Sequence, residues 1–188
     1  MRKPQEITID RTLLIFVLHL SESKEFSIVS DVKLQHLVFL AELQMLGKEL
    51  RGFHYEFMRY PYGVFSKDLD NDLLALRKKE RLQNFDVVGQ AEDCIPLLEK
   101  TTPEVEAHEQ IMEIMQMVVE NYGGQDLDEI AKSVEDVEIS VADRPEEKIL
   151  IKDIPFHSII LVPSRIEVTG EMTFPAKIVA QLNSALGL

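Results

Sequence analysis

Tryptophan is absent from the 188 residues, and Cys94 is the only cysteine. One thiol cannot form an internal disulfide or a multi-thiolate metal site. No apolar run approaches the ~20 residues that cross a bilayer. Residues 13–18 form a short apolar run with no small-residue cleavage site after it, so a secretory signal is not indicated. These absences predict a cytoplasmic protein without a disulfide framework.

The sequence also lacks the signatures of common catalytic sites. His54 and Glu56 have the spacing of half a zinc-deaminase motif, but the other half needs a second cysteine. No His-Glu-x-x-His, Walker lysine loop, dinucleotide glycine fingerprint or Gly-x-Ser-x-Gly elbow occurs. Glu92 and Asp93 adjoin Cys94 and disfavour its thiolate. We therefore predict no catalytic residue, cofactor or metal, and a protein that is not an enzyme.

Basic residues are scarce in one part of the chain. The net charge is −13, and residues 103–148 contain fourteen acidic residues against Lys132, Arg144 and Lys148. A field of one sign repels nucleic acid and attracts basic partners, although solvated acidic helix faces also serve solubility. The charge pattern thus favours a protein partner.

Hydrophobic periodicity predicts a mainly α, α+β fold. Asp10 can cap a first helix, and Ser30 or Asp31 a second helix that ends at Gly47. The second helix carries an apolar stripe at helical spacing: Leu34, Leu37, Val38, Ala41 and Met45. Ser66 caps a third helix, and further helices end at Tyr122, span residues 127–134 and span residues 176–186. Residues 53–60 form a candidate strand before the turn Tyr60-Pro61-Tyr62-Gly63, where Gly63 can adopt a positive φ.

This order of elements is typical of a winged-helix unit. The third helix is then the recognition helix, and residues 82–98 form the wing, a β-hairpin. We predict a helical winged-helix-like domain over residues 1–134, an acidic connector over 135–148, and a β-rich segment with a terminal helix over 149–188. The last segment could also support a homo-oligomer.

Three short motifs resemble the Panacea, or SocA-like, antitoxin domain and its YwgA-like relatives. The stretch Lys33-Leu34-Gln35-His36-Leu37-Val38-Phe39-Leu40 resembles that family's opening helix. Tyr62-Gly63-Val64-Phe65-Ser66 resembles its "YGP-x-S" turn, with Val64 where the family has proline. Asn121-Tyr122-Gly123 resembles a later motif. The resemblance spans residues 10–135 and implies a prokaryotic or phage-associated domain that neutralises a toxin protein by direct binding.

Six aromatic residues lie within positions 53–65 of a chain that is 7% aromatic. A tyrosine at a turn combines an apolar ring with a polar hydroxyl, which suits an interface. Tyr55, Tyr60, Tyr62 and Phe65 are therefore candidate partner-binding residues, with Gly63 and Ser66 as the structural turn and cap. Core packing is the alternative explanation for the same cluster.

A winged-helix transcription regulator is the second hypothesis. The one basic cluster comprises Arg77, Lys78, Lys79 and Arg81, at the end of the predicted recognition helix. These residues could contact DNA phosphates, or they could simply complement the helix dipole. An isoelectric point near 4.8 disfavours a DNA reader.

Overall fold

The computed structural model describes residues 2–141 and 143–188. Within them the fold is α+β and mainly α, as predicted, with seven α-helices. They are α1 (Pro4–Ser23), α2 (Asp31–Gly47), α3 (Lys67–Lys78), α4 (Cys94–Thr101), α5 (Glu106–Tyr122), α6 (Leu127–Glu135) and α7 (Ala176–Leu186).

Nine short strands form four small sheets in the same residues. The strands are β1 (Leu50–Arg51), β2 (Phe57–Tyr60), β3 (Gly63–Phe65), β4 (Leu82–Gln83), β5 (Asp86–Val87), β6 (Glu138–Val141), β7 (Arg144–Leu150), β8 (Ile159–Leu161) and β9 (Gly170–Glu171). The largest sheet has the order β3–β2–β8 and is antiparallel, whereas β1 pairs with β9 in parallel.

Helices α1 and α2 lie at the centre of the core. Both are apolar around most of their circumference, the pattern of a helix surrounded by other elements. In α2 the predicted stripe is fully buried: Leu34, Leu37, Val38, Ala41 and Met45. The Ser30 side chain caps this helix by accepting from the Lys33 N–H, and Ser66 caps α3 in the same way.

The first helix begins earlier than predicted. It starts at Pro4, so Asp10 lies inside it and is fully buried instead of capping it. At this position the carboxylate caps no N–H of the helix. Its hydrogen-bond partners are Arg2 and His54, which lie outside α1. Gly47 is helical, and Glu49 adopts the positive φ of 57° after the helix.

The wing predicted over residues 82–98 is wrong in its second half. Strands β4 and β5 form a minimal hairpin that turns at Asn84, whose φ is 57°. Residues Gly89–Asp93 are a 3₁₀ helix, and the predicted second strand is part of α4. Leu98 and Ile95 are buried at helical spacing, so the apolar pattern that suggested a strand belongs to a short helix.

The predicted connector contains a β-hairpin, in which β6 and β7 pair from Glu138↔Leu150 onward. The segment after it then returns to the core. Strand β8 pairs with β2, β9 pairs with β1, and Ile151, Leu161, Met172 and Leu182 are buried in the common hydrophobic cluster. This part of the chain is attached to the core by pairing between strands that are distant in sequence. The hydrophobic periodicity of a single segment does not predict such pairing.

Candidate functional site

The turn between β2 and β3 is the first part of the candidate site. Tyr60 pairs with Gly63, so Pro61 and Tyr62 form the tip of a tight hairpin. Gly63 has φ of 115°, as predicted, and a Cβ there would lie 2.1 Å from His36 Nε2. The buried His36 ring therefore supports the tip from below, and only glycine fits at position 63.

Arg59 holds the hairpin tip in place. Its Nη1 donates to the carbonyl oxygens of Tyr60 and Gly63, the latter at 2.9 Å. Its Nη2 donates to Oε1 of Glu135 at 2.8 Å, and its guanidinium lies 5.1 Å from the centre of the Phe156 ring. Arg59 is 3% exposed. One buried cation thus joins the tip, the end of α6 and the segment before β8.

The sheet β3–β2–β8 has two different faces. Register places Phe57 opposite Leu161 and Arg59 opposite Val64, and all four residues are buried. Met58 pairs with both Phe65 and Ile159, so these side chains share the other face with Tyr60, two residues along β2. We call Met58, Tyr60, Phe65 and Ile159 the outer sheet face.

The outer sheet face is apolar although it faces solvent. Ile159 is 66% exposed, Tyr60 is 36% exposed, and Met58 and Phe65 are half-buried. The rings of Tyr60 and Phe65 lie 5.2 Å apart, and His157 meets the Tyr60 ring edge-on. An antiparallel sheet with one solvated face usually carries polar residues there, so this face is unusual.

Tyr62 lies at the hairpin tip, two residues after Tyr60, and is 70% exposed. Phe156, 55% exposed, lies in the segment that leads into β8, where its ring contacts the Arg59 guanidinium. Tyr55 is different: the expectation that it binds a partner is wrong because it is fully buried. Its ring stacks on Phe53, and its hydroxyl donates to Oδ2 of Asp72 at 3.0 Å.

An acidic hairpin follows α6. We call β6, β7 and Asp143 between them the acidic arm; its exposed acidic residues are Glu138, Asp143, Glu146 and Glu147, against Arg144 and Lys148. The arm begins just after Glu135, which is paired with Arg59, and ends just before the segment that contains Phe156. The Ile151 N–H donates to the Val137 oxygen at its base. The arm therefore starts next to the residue that pairs with Arg59, the cation that binds the hairpin tip.

The basic cluster is largely engaged within the protein. The Arg77 guanidinium donates to both carboxylate oxygens of Asp31, at 2.6 and 3.1 Å, and lies over the Phe85 ring. This hydrogen bond raises the pKa of Arg77. Arg81 donates to Gln90, while Lys78 and Lys79 are exposed. Two of the four candidate DNA contacts thus already have protein partners.

A buried polar cluster, which the sequence did not indicate, connects α1, α3 and the loop after β1. Asp10 accepts from Arg2 Nη1 at 2.7 Å and from the His54 N–H and Nδ1, each at 2.9 Å. Asp72 accepts from Arg2, Arg11 and Tyr55. These bonds satisfy two carboxylates that burial would otherwise make costly.

Titration in this cluster follows from burial and charge. Burial raises the pKa of Asp10 in spite of Arg2 and His54 beside it. Burial lowers the pKa of His54, but the hydrogen bond that His54 donates to Asp10 and the negative charges of Asp10 and Glu6 together outweigh burial, and the net shift is upward. The carboxyl oxygens of Glu42 have no hydrogen-bond partner among the described residues, and burial raises the pKa of Glu42 well above its ordinary value.

This cluster does not have the geometry of an open active site. His54 Nε2 faces Glu171 Oε1 at 3.6 Å, and the residue is only 9% exposed. Clefts occur elsewhere, for example one of about 490 Å³ lined by Gln90, Asp93, Lys100 and Gln181. The cluster therefore joins segments within the core instead of presenting a base to a substrate.

The remaining reactive groups are also enclosed. Cys94 lies in α4, not in a hairpin loop, and burial raises the pKa of its thiol to about 12. In residues 2–141 and 143–188, no three His, Cys, Asp or Glu side chains converge as metal ligands. No helix in these ranges is long and apolar enough to cross a membrane.

Sequence reasoning selected three of the surface residues and missed others. Tyr60, Tyr62 and Phe65 lie together as their spacing suggests, but Met58, Phe156 and Ile159 were not chosen. The pairing of β2 with β8 spans about a hundred residues of sequence and carries no local signal. The one available indication was that residues 149–168 contain several isoleucines and valines.

Comparisons with known proteins add no relative: no family model, no curated protein and no solved structure matches the chain.

Proposed function

We propose that this chain is a non-catalytic protein-binding module whose binding surface is the outer sheet face together with Tyr62 and Phe156. One observation carries the proposal: each paired position on the solvent side of the β3–β2–β8 sheet is apolar. Contiguous exposed apolar residues mark interaction sites, and tyrosine is enriched among residues that dominate binding energy.

The surroundings of this surface favour a protein partner with basic residues. The surface is a sheet face, and the chain that carries it has a net charge of −13. Opposite charge at the rim accelerates association and selects partners, whereas acidic residues repel a phosphate backbone. The exposed Lys78 and Lys79 alone offer little for DNA, since Arg77 and Arg81 are engaged internally.

The mode of action that we propose is antitoxin-like. The module would cover a functional surface of a toxin encoded nearby, in the cytoplasm, without a cofactor and with a fixed stoichiometry. The resemblance to the Panacea domain supports this idea, because its turn motif forms the hairpin tip and the α3 cap in this protein. A binding surface can neutralise a toxin by covering it, without catalysing any reaction.

A photo-cross-linking amino acid tests the proposal. It is placed at Tyr62 and, as a matched control, at Leu74, which is 56% exposed on α3. Illumination in cells that encode the chain should attach one predominant protein through position 62 and not through position 74. Mass spectrometry then identifies it. Co-expression should restore growth to cells that express this partner, and Tyr62→Ala should reduce the rescue.

Three results would contradict all or part of the proposal. Equal capture at positions 62 and 74, or none at position 62, would show that the outer sheet face is not a binding surface. A captured partner that does not impair growth would remove the antitoxin-like mode but keep the binding module. A nanomolar mobility shift with duplex DNA, lost on Lys78→Ala with Lys79→Ala, would favour the regulator instead.

A further inference from the structure

We propose that the partner binds partly by adding an extended, basic segment to the free edge of β8. This inference rests on the proposed function and specifies how the same surface is used. Strand β8 pairs with β2 on one side, and no strand within the described ranges pairs with its other side. An unpaired edge of a sheet is a template for strand addition by another chain.

The main-chain groups of Ile159 point toward that free edge. The Arg59 N–H donates to the Ser158 oxygen, so β2 is bonded to the residue just before Ile159. Met58 and Ile159 are directly opposite, and Met58 also pairs with Phe65 in β3. Because N–H and C=O groups alternate sides along a strand, Ile159 offers both groups away from β2.

The side chains at this edge suit a partner strand. Ile159 and Phe156 are exposed by 66% and 55%, and Ile159 belongs to the outer sheet face. An added strand would therefore gain main-chain hydrogen bonds and, through alternate side chains, contacts with that face. Pro155 and Pro163 flank the strand and limit the pairing to the few residues between them.

Charge decides between a foreign segment and a second copy of the chain. A symmetric β8–β8 pair would bring together two chains that each carry a net charge of −13. Like charges across an interface oppose association. A segment with lysine or arginine at alternate positions instead opposes this negative charge, and its other, apolar side chains can lie on the outer sheet face.

A synthetic peptide tests this proposal on the full chain. A seven-residue peptide alternating lysine and valine is titrated into ¹⁵N-labelled protein, and the Ile159 amide is followed by NMR and hydrogen exchange. Saturable shifts centred on Ile159, with slower exchange of its N–H, are expected. A peptide alternating glutamate and valine should produce no such shifts.

Two variants separate the main chain from the side chain. Ile159→Pro removes the outward N–H and should weaken peptide binding about tenfold more than Ile159→Ala. Melting curves verify that both variants fold, since neither loses a hydrogen bond to β2. If Ile159→Pro fails to fold, two N-methylated peptides replace this variant. In one peptide the methylated N–H groups are those that would face β8, and in the other they are those that would face away. Only the first peptide should lose binding.

Several results would overturn the inference. No shift at Ile159 with the lysine peptide, or equal binding by both N-methylated peptides, excludes strand addition. A dimer detected by sedimentation and lost on Ile159→Pro shows that a second copy occupies the edge. If the Tyr62 cross-link persists in either case, the protein-binding function stands and only the strand-addition mode fails.

Discussion

Arg59 and Glu135 form an ion pair, with 2.8 Å between Nη2 and Oε1, that joins the aromatic hairpin to the helix leading into the acidic arm. The same guanidinium binds the turn carbonyls. Arg59 thus ties the end of α6, from which the acidic arm continues, to the hairpin that carries Tyr60 and Tyr62.

Removing this cation should destabilise the fold. Arg59→Met removes the donor to the part-buried Tyr60 carbonyl and the buried Gly63 carbonyl, and it should cost about 3 kcal/mol in the free energy of unfolding. Glu135→Gln should cost less than about 1 kcal/mol, because the Glu135 side chain is 35% exposed and solvent screens its charge. Urea denaturation of both variants checks the difference; equal losses would show that Arg59 does not hold the turn.

Two glycines provide a matched test of the hairpin tip. Gly63→Ala should cost more than about 2 kcal/mol, since φ is 115° and the added Cβ would collide with His36. Gly47→Ala should stabilise by about 0.5–1 kcal/mol, because Gly47 is helical and no atom lies within 4 Å of an added Cβ. Thermal unfolding of both variants measures these opposite signs. A neutral Gly63→Ala would contradict the tip geometry.

Ser66 caps α3 and is itself held by Gln35. Its Oγ accepts from the Leu69 N–H at 3.4 Å, while Gln35 bonds both its N–H and its carbonyl oxygen. Ser66→Ala should cost about 0.5–2 kcal/mol. Ser184→Ala, at an exposed position in α7, is the control. Chemical denaturation measures the loss of stability in both variants. A Ser66→Ala loss no larger than the control would show that the cap contributes nothing.

The His54–Asp10 pair should make stability depend on pH. The pKa of His54 is raised above its unfolded value of about 6.5, so its protonated form stabilises the fold. This contribution is complete below pH ~6.5 and is lost as pH rises through the higher folded pKa. The difference in unfolding free energy between wild type and His54→Gln should therefore shrink as the pH rises above about 6.5. A constant difference would mean that the pair does not titrate.

Local patterns predicted much of the fold and only part of the site. The α2 stripe, the Ser66 cap and the positive φ of Gly63 depend on neighbouring residues, and the structure confirms them. Asp10 was assigned to a helix cap because short polar residues favour caps, but its partners come from distant segments.

Burial and long-range pairing explain the other differences. Tyr55 belongs to the same aromatic-rich stretch as the exposed Tyr62, yet it is buried, with its hydroxyl bonded to Asp72 and the Arg2 guanidinium over its ring. Ile159 acquires its place only when β8 pairs with β2. No period within a single segment specifies which strands meet, so the outer sheet face becomes visible only in three dimensions.

The affinity of the cross-linked partner for surface variants tests the central claim most directly. Tyr62→Ala should weaken binding by about 2 kcal/mol or more while the melting temperature stays near that of wild type, because the side chain is 70% exposed. Leu74→Ala, at a comparably exposed position away from the sheet, should leave affinity unchanged. Titration calorimetry with melting curves gives both quantities. Unchanged affinity for a folded Tyr62→Ala protein would contradict the assignment of this surface as the binding site.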